Sequence, residues 1–427
     1  MRNTSVFVLE DRIVRLLHTS DWHLGQTFHE FDRSHEHQCF LDGLLDTLEA
    51  GQIDTLLIAG DVFDNPNPSA AAQKQFYRFL TAAKRRVPDL DLVIIAGNHD
   101  SPGRLEAPGP LLAAFDATVV GYITRDTRGN IELDRLVVPL KNCDGDIAAW
   151  CLAIPFLRPD DVPRVETDGD PYLDGIALLY RQALDHALRR REPDQAIVAL
   201  GHCHMSGGQT SEESERRIVI GGVEALSVDI FDPAIAYVAL GHLHRAQKVG
   251  GQKRVRYCGS PLPMSFTEIH YPHQVVRIDL DGDALRDITP IPVPRPVQLL
   301  RVPEQPAPPD EVLDALAALA LPDAPLEAQP YLQARVRLTG PEPGLRARVE
   351  AALDGKPARL AKIEPTYGGN AADDTTQSPQ SLDDLARLQP DDIFTKLHWR
   401  KYGEEPSTEL LAAFRELLLT DNEEPAP

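Results

Sequence analysis

The sequence predicts an α/β protein, because apolar strands, helices and polar loops alternate along most of its length. Five runs are almost continuously apolar, as strands that are covered on both faces must be. These runs are residues 13–17, 55–59, 92–96, 196–200 and 236–240. Amphipathic helix candidates lie between them, at residues 39–50, 70–86 and 175–191. Asp, Asn or His residues follow each run almost at once, so we expect a rigid sheet whose strand ends carry a polar site.

Changes in composition divide the chain into five parts. Residues 292–309 contain seven prolines and end the α/β core. The pattern that follows predicts a small β-α-β-α-β module, with strands at 297–302, 331–338 and 358–364 and helices at 309–320 and 344–353. We therefore expect an N-terminal extension (1–12), a core (13–291), this small module (292–367), a flexible linker (368–380) and two C-terminal helices with an apolar stripe (381–427).

The net charge of -22 over 427 residues excludes passive attraction to nucleic acid, so any DNA contact has to be local or assisted. Five cysteines without a Cys-x-x-Cys pair indicate neither a disulfide framework nor a zinc ribbon. The N-terminal apolar segment, residues 6–9, is too short for a signal peptide, and no apolar stretch is long enough to cross a membrane. We expect a cytoplasmic protein.

The polar clusters at the strand ends have the composition of a site for two divalent metal ions. They are Asp21-Trp22-His23, Gly60-Asp61, Gly97-Asn98-His99-Asp100, Gly201-His202-Cys203-His204 and Gly241-His242-Leu243-His244. A two-metal site needs one carboxylate between the ions, with oxygen and imidazole donors arriving from separate directions. The clusters therefore indicate metal-assisted hydrolysis of a phosphoester.

Within these clusters Asp61 is suited to bridge two ions, because Gly60 lets the backbone approach them closely. The alternative for Asp61 is a cap of the following turn. Asn98 offers a neutral amide oxygen, and His99 can stay unligated and act as an acid or orient the phosphate.

The remaining candidates form three pairs that are two residues apart. Asp21 and His23 can share one ion, because alternate residues at a strand end point to the same side, and His242 and His244 repeat this spacing. Of the third pair, His202 directly follows the strand and its glycine, so we assign it to metal. Its neighbour His204 can be a supporting, substrate-facing or structural residue. We interpret Cys203, which lies between them, as a small buried residue.

In this order the motifs resemble the calcineurin-like metallophosphoesterase superfamily, whose fold is a two-sheet β-sandwich flanked by helices. More narrowly, four segments and the C-terminal part resemble the SbcD family, the nuclease subunits of bacterial SbcCD complexes. The segments are residues 19–26, 59–64, 240–247, 256–263 and 401–410. The resemblance covers nearly the whole chain and leaves the first dozen residues as an extension.

The resemblance implies two Mn²⁺ ions, with Mg²⁺ as a weaker substitute. The implied ligands are Asp21, His23, Asp61 and His244 for one ion, and Asp61, Asn98, His202 and His242 for the other. His99 would orient the phosphate or protonate the leaving oxygen, and Asp64 would be an accessory catalytic residue at a position where archaeal relatives have histidine. The basic residues of the loop after His244 are the candidate DNA contacts, namely Arg245, Lys248 and Arg254.

The resemblance also implies an ATP-dependent 3′-5′ exonuclease on duplex DNA and an endonuclease on single strands and hairpins, acting in DNA repair, recombination and replication near the nucleoid. Residues 292–367 would be a capping domain, and residues 381–427 would dock on an SbcC-type coiled-coil ATPase. A homodimer within a heterotetramer is expected, with residues 24–40 and 104–114 as its dimer elements. Two alternatives are a phosphoesterase acting on a small nucleotide or a phosphoprotein, and a non-enzymatic scaffold for the ATPase.

Overall fold

The computed structural model describes residues 13–211, 225–340 and 342–367, and isolated positions 394–395, 398, 406 and 410–411. Residues up to Tyr367 belong to one compact unit, and the chain from Gly368 onward forms a second. The predicted N-terminal extension and linker lie outside the described residues. The same holds for almost all of the predicted C-terminal helices.

The first layer of the fold is a six-stranded sheet. Its members are β1 (Ile13–Thr19), β4 (Thr55–Ala59), β5 (Asp91–Ile95), β6 (Ala117–Val120), β13 (Gln274–Asp281) and β14 (Ala284–Pro292). They lie in the order β14-β13-β1-β4-β5-β6. The strands β1, β4, β5 and β6 run parallel, while β13 pairs antiparallel with β1, and β14 pairs antiparallel with β13 at the edge of the sheet. A short hairpin of β2 (Thr27–Phe28) and β3 (Phe31–Asp32) follows β1.

The second layer is another six-stranded sheet. Its members are β7 (Val137–Lys141), β8 (Ile147–Ala153), β9 (Ala196–His202), β10 (Tyr237–Gly241), β11 (Gln247–Val249) and β12 (Gln252–Tyr257). They lie in the order β11-β12-β10-β9-β8-β7. The central strands β8, β9, β10 and β12 are parallel. Their carboxyl ends therefore meet at one edge, as those of the first sheet do.

Among the described residues of the core, three long helices flank the sheets, and three short ones lie in the connections. The long helices are α1 (Ser34–Ala50), α2 (Ala70–Arg86) and α6 (Pro171–Arg190), and the short ones are α3 (Pro102–Glu106), α4 (Gly109–Leu112) and α5 (Leu133–Leu136). Helix α2 has the predicted bounds, and the hydroxyl of Ser69 caps it by accepting from Ala72 N. Helix α1 begins five residues before the predicted start. The hydrophobic pattern did not show its first turn, because that turn contains the buried polar residues Glu36 and His37.

Two apolar cores confirm the expected sandwich. One lies between the sheets and includes Leu16, Leu57 and Val238, and the other packs α1 and α2 on the outer face of the first sheet. The imidazole of His18 joins the sheets, with Nδ1 3.0 Å from Tyr237 Oη and Nε2 3.2 Å from the carbonyl of Leu240. Burial lowers the pKa of His18 to about 3, so this bridge is made by a neutral ring.

A smaller parallel sheet, here called the cap sheet, follows with an apolar core of its own. Its strands, with the helices between them, are β15 (Leu299–Ala307), α7 (Pro309–Ala317), β16 (Tyr331–Leu338), α8 (Leu345–Ala352) and β17 (Arg359–Tyr367). The strands lie in the order β15-β16-β17. These elements follow the predicted β-α-β-α-β order, and β15 runs on to Ala307 past a register shift after Val302. Among the described helices, none combines the length and the apolar character that a membrane crossing requires.

Candidate metal centre

The polar clusters predicted from the sequence come together where the carboxyl ends of both sheets meet. Asp21 follows β1, Asp61 follows β4 and Asn98 follows β5, while His202 ends β9 and His242 follows β10. All but Asn98 among these five side chains are at most 5 % exposed. The parallel strands thus bring to one place residues that are far apart in the sequence.

The backbone around this place is unusual, because several of the candidate ligands have positive φ angles. The values are 54° at Asp21, 47° at His23, 50° at Asp61 and 106° at His242. Such a conformation costs about 1–3 kcal/mol per residue and persists where the surroundings enforce it. Here the loops after β1 and β4 are tied together by hydrogen bonds from Asp21 N to Gly60 O and from His23 N to Asp61 O, at 3.0 and 3.1 Å.

Two glycines allow the loops to approach this closely. Gly60 has a φ of +88°, and a Cβ added there would collide with Nδ1 of the His202 ring. A Cβ on Gly97 would collide with the carboxylate of Asp61. Any larger residue at either position would therefore displace a candidate ligand.

The first group of candidate ligands consists of Asp21, His23 and His244, whose ligand atoms lie within 4.8 Å of one another. The two carboxylate oxygens of Asp21 accept hydrogen bonds from Ser20 Oγ and from His242 N. The carboxylate of Glu268 lies 3.2 Å from Nδ1 of His244. These contacts orient both side chains, and each oxygen of the Asp21 carboxylate has a second lone pair that could bind an ion.

The second group consists of Asp61, His202 and His242, again within 4.8 Å of one another. The amide oxygen of Asn98 joins it, 2.9 Å from His202 Nε2 and 3.0 Å from His242 Nδ1. Oδ2 of Asp61 lies 3.4 Å from His202 Nε2 and 3.6 Å from His23 Nε2. The Asp61 carboxylate therefore stands between the two groups.

The charges of the second group are strongly coupled. Burial alone would raise the pKa of Asp61, but the neighbouring His202 and His23 hold it well below its usual range. Burial alone would lower the pKa of His202, but Asp61 raises it to about 9. Burial, reinforced by the charge of His202, lowers the pKa of His242 well below its ordinary value. These pKa shifts favour an ionised Asp61 beside a protonated His202.

The imidazole of His23 indicates directly that a divalent metal fits here. The residue is 3 % exposed, and neither of its ring nitrogens makes a hydrogen bond with the described residues, although carboxylates of Asp61 and Asp64 lie 3.6 Å from Nε2 and 3.3 Å from Nδ1. Burial of polar atoms without hydrogen bonds is costly, by about 1–3 kcal/mol for each group. The donor set of carboxylates, imidazoles and one amide oxygen matches the chemistry of a borderline divalent ion, which would give a nitrogen of His23 its partner.

His99 and Asp64, which are both partly exposed, form a third group with His23, whose ligand atoms also lie within 4.8 Å of one another. His99 Nδ1 lies 2.7 Å from the backbone carbonyl of Asp64 and donates to it, so that Nε2 carries the lone pair or a second proton. The carboxylate of Asp64 lies 3.3 Å from His23 Nδ1. Asp64 thus contacts both histidines, one through its backbone and the other through its side chain.

Asp100 stands in the quoted Gly-Asn-His-Asp cluster, but its role was not predicted from the sequence. Its buried carboxylate accepts hydrogen bonds from the backbone N–H groups of Gly97, Val62 and Phe63 at 2.9, 3.2 and 2.9 Å. Burial, together with the charge of Asp61, raises the pKa of Asp100 to about 6. Asp100 therefore joins the loop of Asp61 to the loop of Asn98.

The predicted DNA contacts differ in their surroundings. Arg245 and Lys248 are exposed, and the Arg245 guanidinium lies 5.4 Å from the ring centroid of Tyr271. Arg254 instead donates hydrogen bonds of 2.7 to 3.1 Å to the carbonyls of Phe231, Asp232 and Ile235. Its guanidinium thus binds the backbone of this loop, and its contact with DNA stays a prediction.

His204 and Cys203 fall outside all three groups of possible ligands among the described residues. The ring of His204 is half-buried, with its centroid 6.2 Å from that of His242. Burial raises the pKa of the Cys203 thiol to about 12, which disfavours the thiolate form that binds metals.

Comparisons with known proteins identify two matching families and several relatives. Residues 14–246 match the calcineurin-like phosphoesterase family, and residues 294–401 match the type 5 capsule protein repressor C-terminal domain. The chain is 42% identical to SbcD of the nuclease SbcCD from Rhodobacter capsulatus, over 89% of this chain and 93% of that relative. It is 36% identical to SbcD from Escherichia coli K12, over 67% of this chain and 71% of the relative. It is 35% identical to SbcD from Bacillus subtilis 168, over 62% of this chain and 66% of the relative.

Proposed function

This chain belongs to the SbcD family of nuclease subunits, and on that premise we propose that its strand-end site hydrolyses DNA phosphodiesters with two divalent metal ions. The chain is a metal-dependent nuclease subunit and a hydrolase with a calcineurin-like phosphoesterase core. The position of the Asp61 carboxylate between two groups of ligands is the observation that carries the proposal of two ions.

Two Mn²⁺ ions would occupy the site, with Mg²⁺ as a weaker substitute. Asp21, His23 and His244 would hold one ion, Asn98, His202 and His242 would hold the other, and Asp61 would contact both. When bound, the ions would polarise the phosphodiester, activate a water molecule and offset the charge that develops on the phosphate oxygens. The carboxylate and amide oxygens of this set are donors that suit manganese and magnesium.

His99 would contact the scissile phosphate from the first group's side. Its Nδ1–H is held by the carbonyl of Asp64, so Nε2 is the ring atom that can face the substrate. From there it would orient a phosphate oxygen or protonate the leaving oxygen. The Asp64 side chain, 3.3 Å from His23 Nδ1, would support the orientation of that ligand and would not itself be a proton donor.

DNA would reach the metals along a local basic surface. Arg245 and Lys248 follow the ligand His244 in the chain and are exposed, so they can contact phosphates in spite of the net charge of -22. The cap sheet and its helices, within residues 292–367, would form a capping domain that limits how duplex DNA enters. Residues 13–291 would form the nuclease domain.

The partner would be an SbcC-type coiled-coil ATPase, because the relatives are named as parts of the nuclease SbcCD. We assign the docking of this ATPase to residues 381–427, whose sequence has two apolar stripes. The complex would contain a homodimer of this chain and act on DNA ends and hairpins, as an ATP-dependent 3′-5′ exonuclease and an endonuclease in DNA repair, recombination and replication. Residues 104–114 would lie at the dimer interface, where Leu111 is 72% exposed.

A comparison of substrates tests this function. The chain, with the ATPase partner and ATP, should cleave hairpin-ended DNA in the presence of Mn²⁺, and chelation of the metal should abolish cleavage. A small diester such as bis-p-nitrophenyl phosphate should be hydrolysed far more slowly. Rapid hydrolysis of the small ester together with intact DNA would instead support a phosphoesterase of small substrates.

A further inference from the structure

A buried glutamate behind the candidate ligand His244 connects the metal centre to the cap sheet. Glu268 is fully buried, and its two carboxylate oxygens have different partners. Oε1 lies 3.2 Å from His244 Nδ1, and Oε2 accepts a hydrogen bond of 2.7 Å from the backbone N–H of Met264. Because Nδ1 of His244 faces Glu268, Nε2 would be the nitrogen that binds an ion.

Glu268 belongs to a 3₁₀ turn, Phe266–Glu268, that is held from the side of the cap sheet. Arg301, on β15, donates a hydrogen bond of 2.7 Å from Nη2 to the carbonyl of Phe266. Arg295, which precedes β15, donates one of 2.8 Å to the carbonyl of Ile269. Arg301 and Arg295 therefore each donate a hydrogen bond to the backbone at one end of the turn.

The side chain of Phe266 strengthens this connection. It packs in an apolar cluster with Phe28 of the core and with Leu299 and Tyr331 of the cap sheet. Tyr331 in turn donates a hydrogen bond of 2.8 Å to Glu36, which is paired with the buried Arg33. The turn is thus enclosed between the core and a cap sheet that is itself anchored to the core.

We propose that the cap sheet positions the metal ligand His244 through the Phe266–Glu268 turn. This inference rests on the proposed two-metal function. It adds that the cap sheet would affect metal binding, besides limiting how DNA enters the site. A carboxylate that only closed the turn would need the N–H of Met264 alone, whereas the second oxygen of Glu268 reaches His244. A carboxylate partner fixes the ring of a ligating histidine and raises its basicity. Glu268 and Arg301 are therefore positioning residues.

Substitution of Glu268 by Gln tests the first link. Glutamine has one acceptor oxygen, so it cannot accept from His244 and Met264 as the carboxylate does. Titration of the full-length chain with Mn²⁺, followed by electron paramagnetic resonance, should show one ion bound about tenfold or more weakly and the other unchanged. Cleavage of DNA should fall at limiting Mn²⁺ and recover at high Mn²⁺. Asp91→Asn is the matched control. Asp91 is a buried carboxylate that accepts a hydrogen bond from Lys141 N, and it begins β5, at the end of the strand that lies away from the site.

Substitution of Arg301 by Ala tests the link to the cap and carries the test alone if Glu268→Gln does not fold. We expect the same single ion to bind about threefold or more weakly, a smaller effect than that of a direct partner. Arg335→Ala is its control, because Arg335 lies on the same sheet and contacts Glu364 and Glu304 within the cap. Wild-type binding of both ions by a folded Glu268→Gln or Arg301→Ala chain would overturn the inference. Binding of fewer than two ions by the wild-type chain would instead overturn the proposed two-metal function.

Discussion

The imidazole of His99 is fixed by the backbone of Asp64, whose carbonyl lies 2.7 Å from Nδ1. This contact joins the loop after β5 to the loop after β4 and leaves Nε2 of His99 as the atom that can meet a substrate. The contact involves a carbonyl, so a change of the Asp64 side chain would leave it in place.

The first prediction concerns this histidine. His99→Ala should retain Mn²⁺ binding and lose nuclease activity by about 10²–10⁴-fold, because a group that orients or protonates the phosphate is removed while the proposed ligands remain. The measurement is single-turnover cleavage of hairpin DNA beside a Mn²⁺ titration. His186→Ala is a control at a histidine that contacts Asp134 on the surface. Full cleavage by His99→Ala would remove His99 from the mechanism.

The second prediction concerns protons that the metal displaces. Burial alone would lower the pKa of His202, but Asp61 raises it to about 9, so the ring carries an extra proton near pH 7 when no metal is bound. An ion that binds Nε2 must displace this proton. The affinity for the ion should therefore rise with pH, by up to about tenfold per pH unit, and approach a plateau near the His202 pKa of about 9. Calorimetry in buffers of different ionisation enthalpy counts the protons.

His202→Gln is the comparison for this count, because it cannot carry the displaced proton. It should bind the second ion weakly and release about one proton fewer than the wild-type chain. Metal binding by the wild-type chain without any proton release would show that His202 is neutral or is not a ligand.

The sequence predicted most of the fold because its strands are buried on both faces. The strands β4 and β10 are buried throughout and almost wholly apolar, so these runs and the polar residues after them together indicated the site. The early start of α1 could not be found in this way, because Glu36 and His37 are polar yet buried against the cap sheet or the site. Glu36 pairs with the buried Arg33, and buried polar residues of this kind leave no hydrophobic pattern in the sequence.

The ligand groups were predictable for the same reason, whereas their supports were not. Asp100 and Glu268 act through contacts between distant loops, with Val62 and with His244 respectively. An acidic residue after a strand or in a turn has many roles, so its type alone does not reveal such a partner. For Asp100, its place in the Gly-Asn-His-Asp cluster was the available signal. Arg254 shows the reverse case, in which a basic residue is occupied by backbone carbonyls.

The third prediction concerns the proposed dimer. Leu111 is 72% exposed and Phe115 is 45% exposed, on one side of a groove of about 580 Å³ that Tyr77 and Leu80 also line. A charge at this apolar surface should oppose association, so Leu111→Glu should shift the chain from dimer to monomer in light scattering after gel filtration. Leu326→Glu is the control, because Leu326 is 66% exposed and lies outside the predicted dimer elements. A dimer that survives Leu111→Glu would place the interface elsewhere.

The fourth prediction concerns the ATPase. A chain that ends at Ser381 should keep its Mn²⁺ binding, because all proposed ligands precede Tyr367 in the first compact unit. It should no longer be retained by the immobilised ATPase, since the apolar stripes of residues 381–427 are missing. Equal retention of the full and the shortened chain would assign docking to another surface.

The central claim is that the strand-end side chains hold two ions with Asp61 between them, and its most direct test is anomalous diffraction near the manganese absorption edge from Mn²⁺-soaked crystals. We expect two peaks, one beside Asp21, His23 and His244 and the other beside Asn98, His202 and His242, with an oxygen of Asp61 within coordination distance of both. A single peak, or two peaks away from Asp61, would contradict the account.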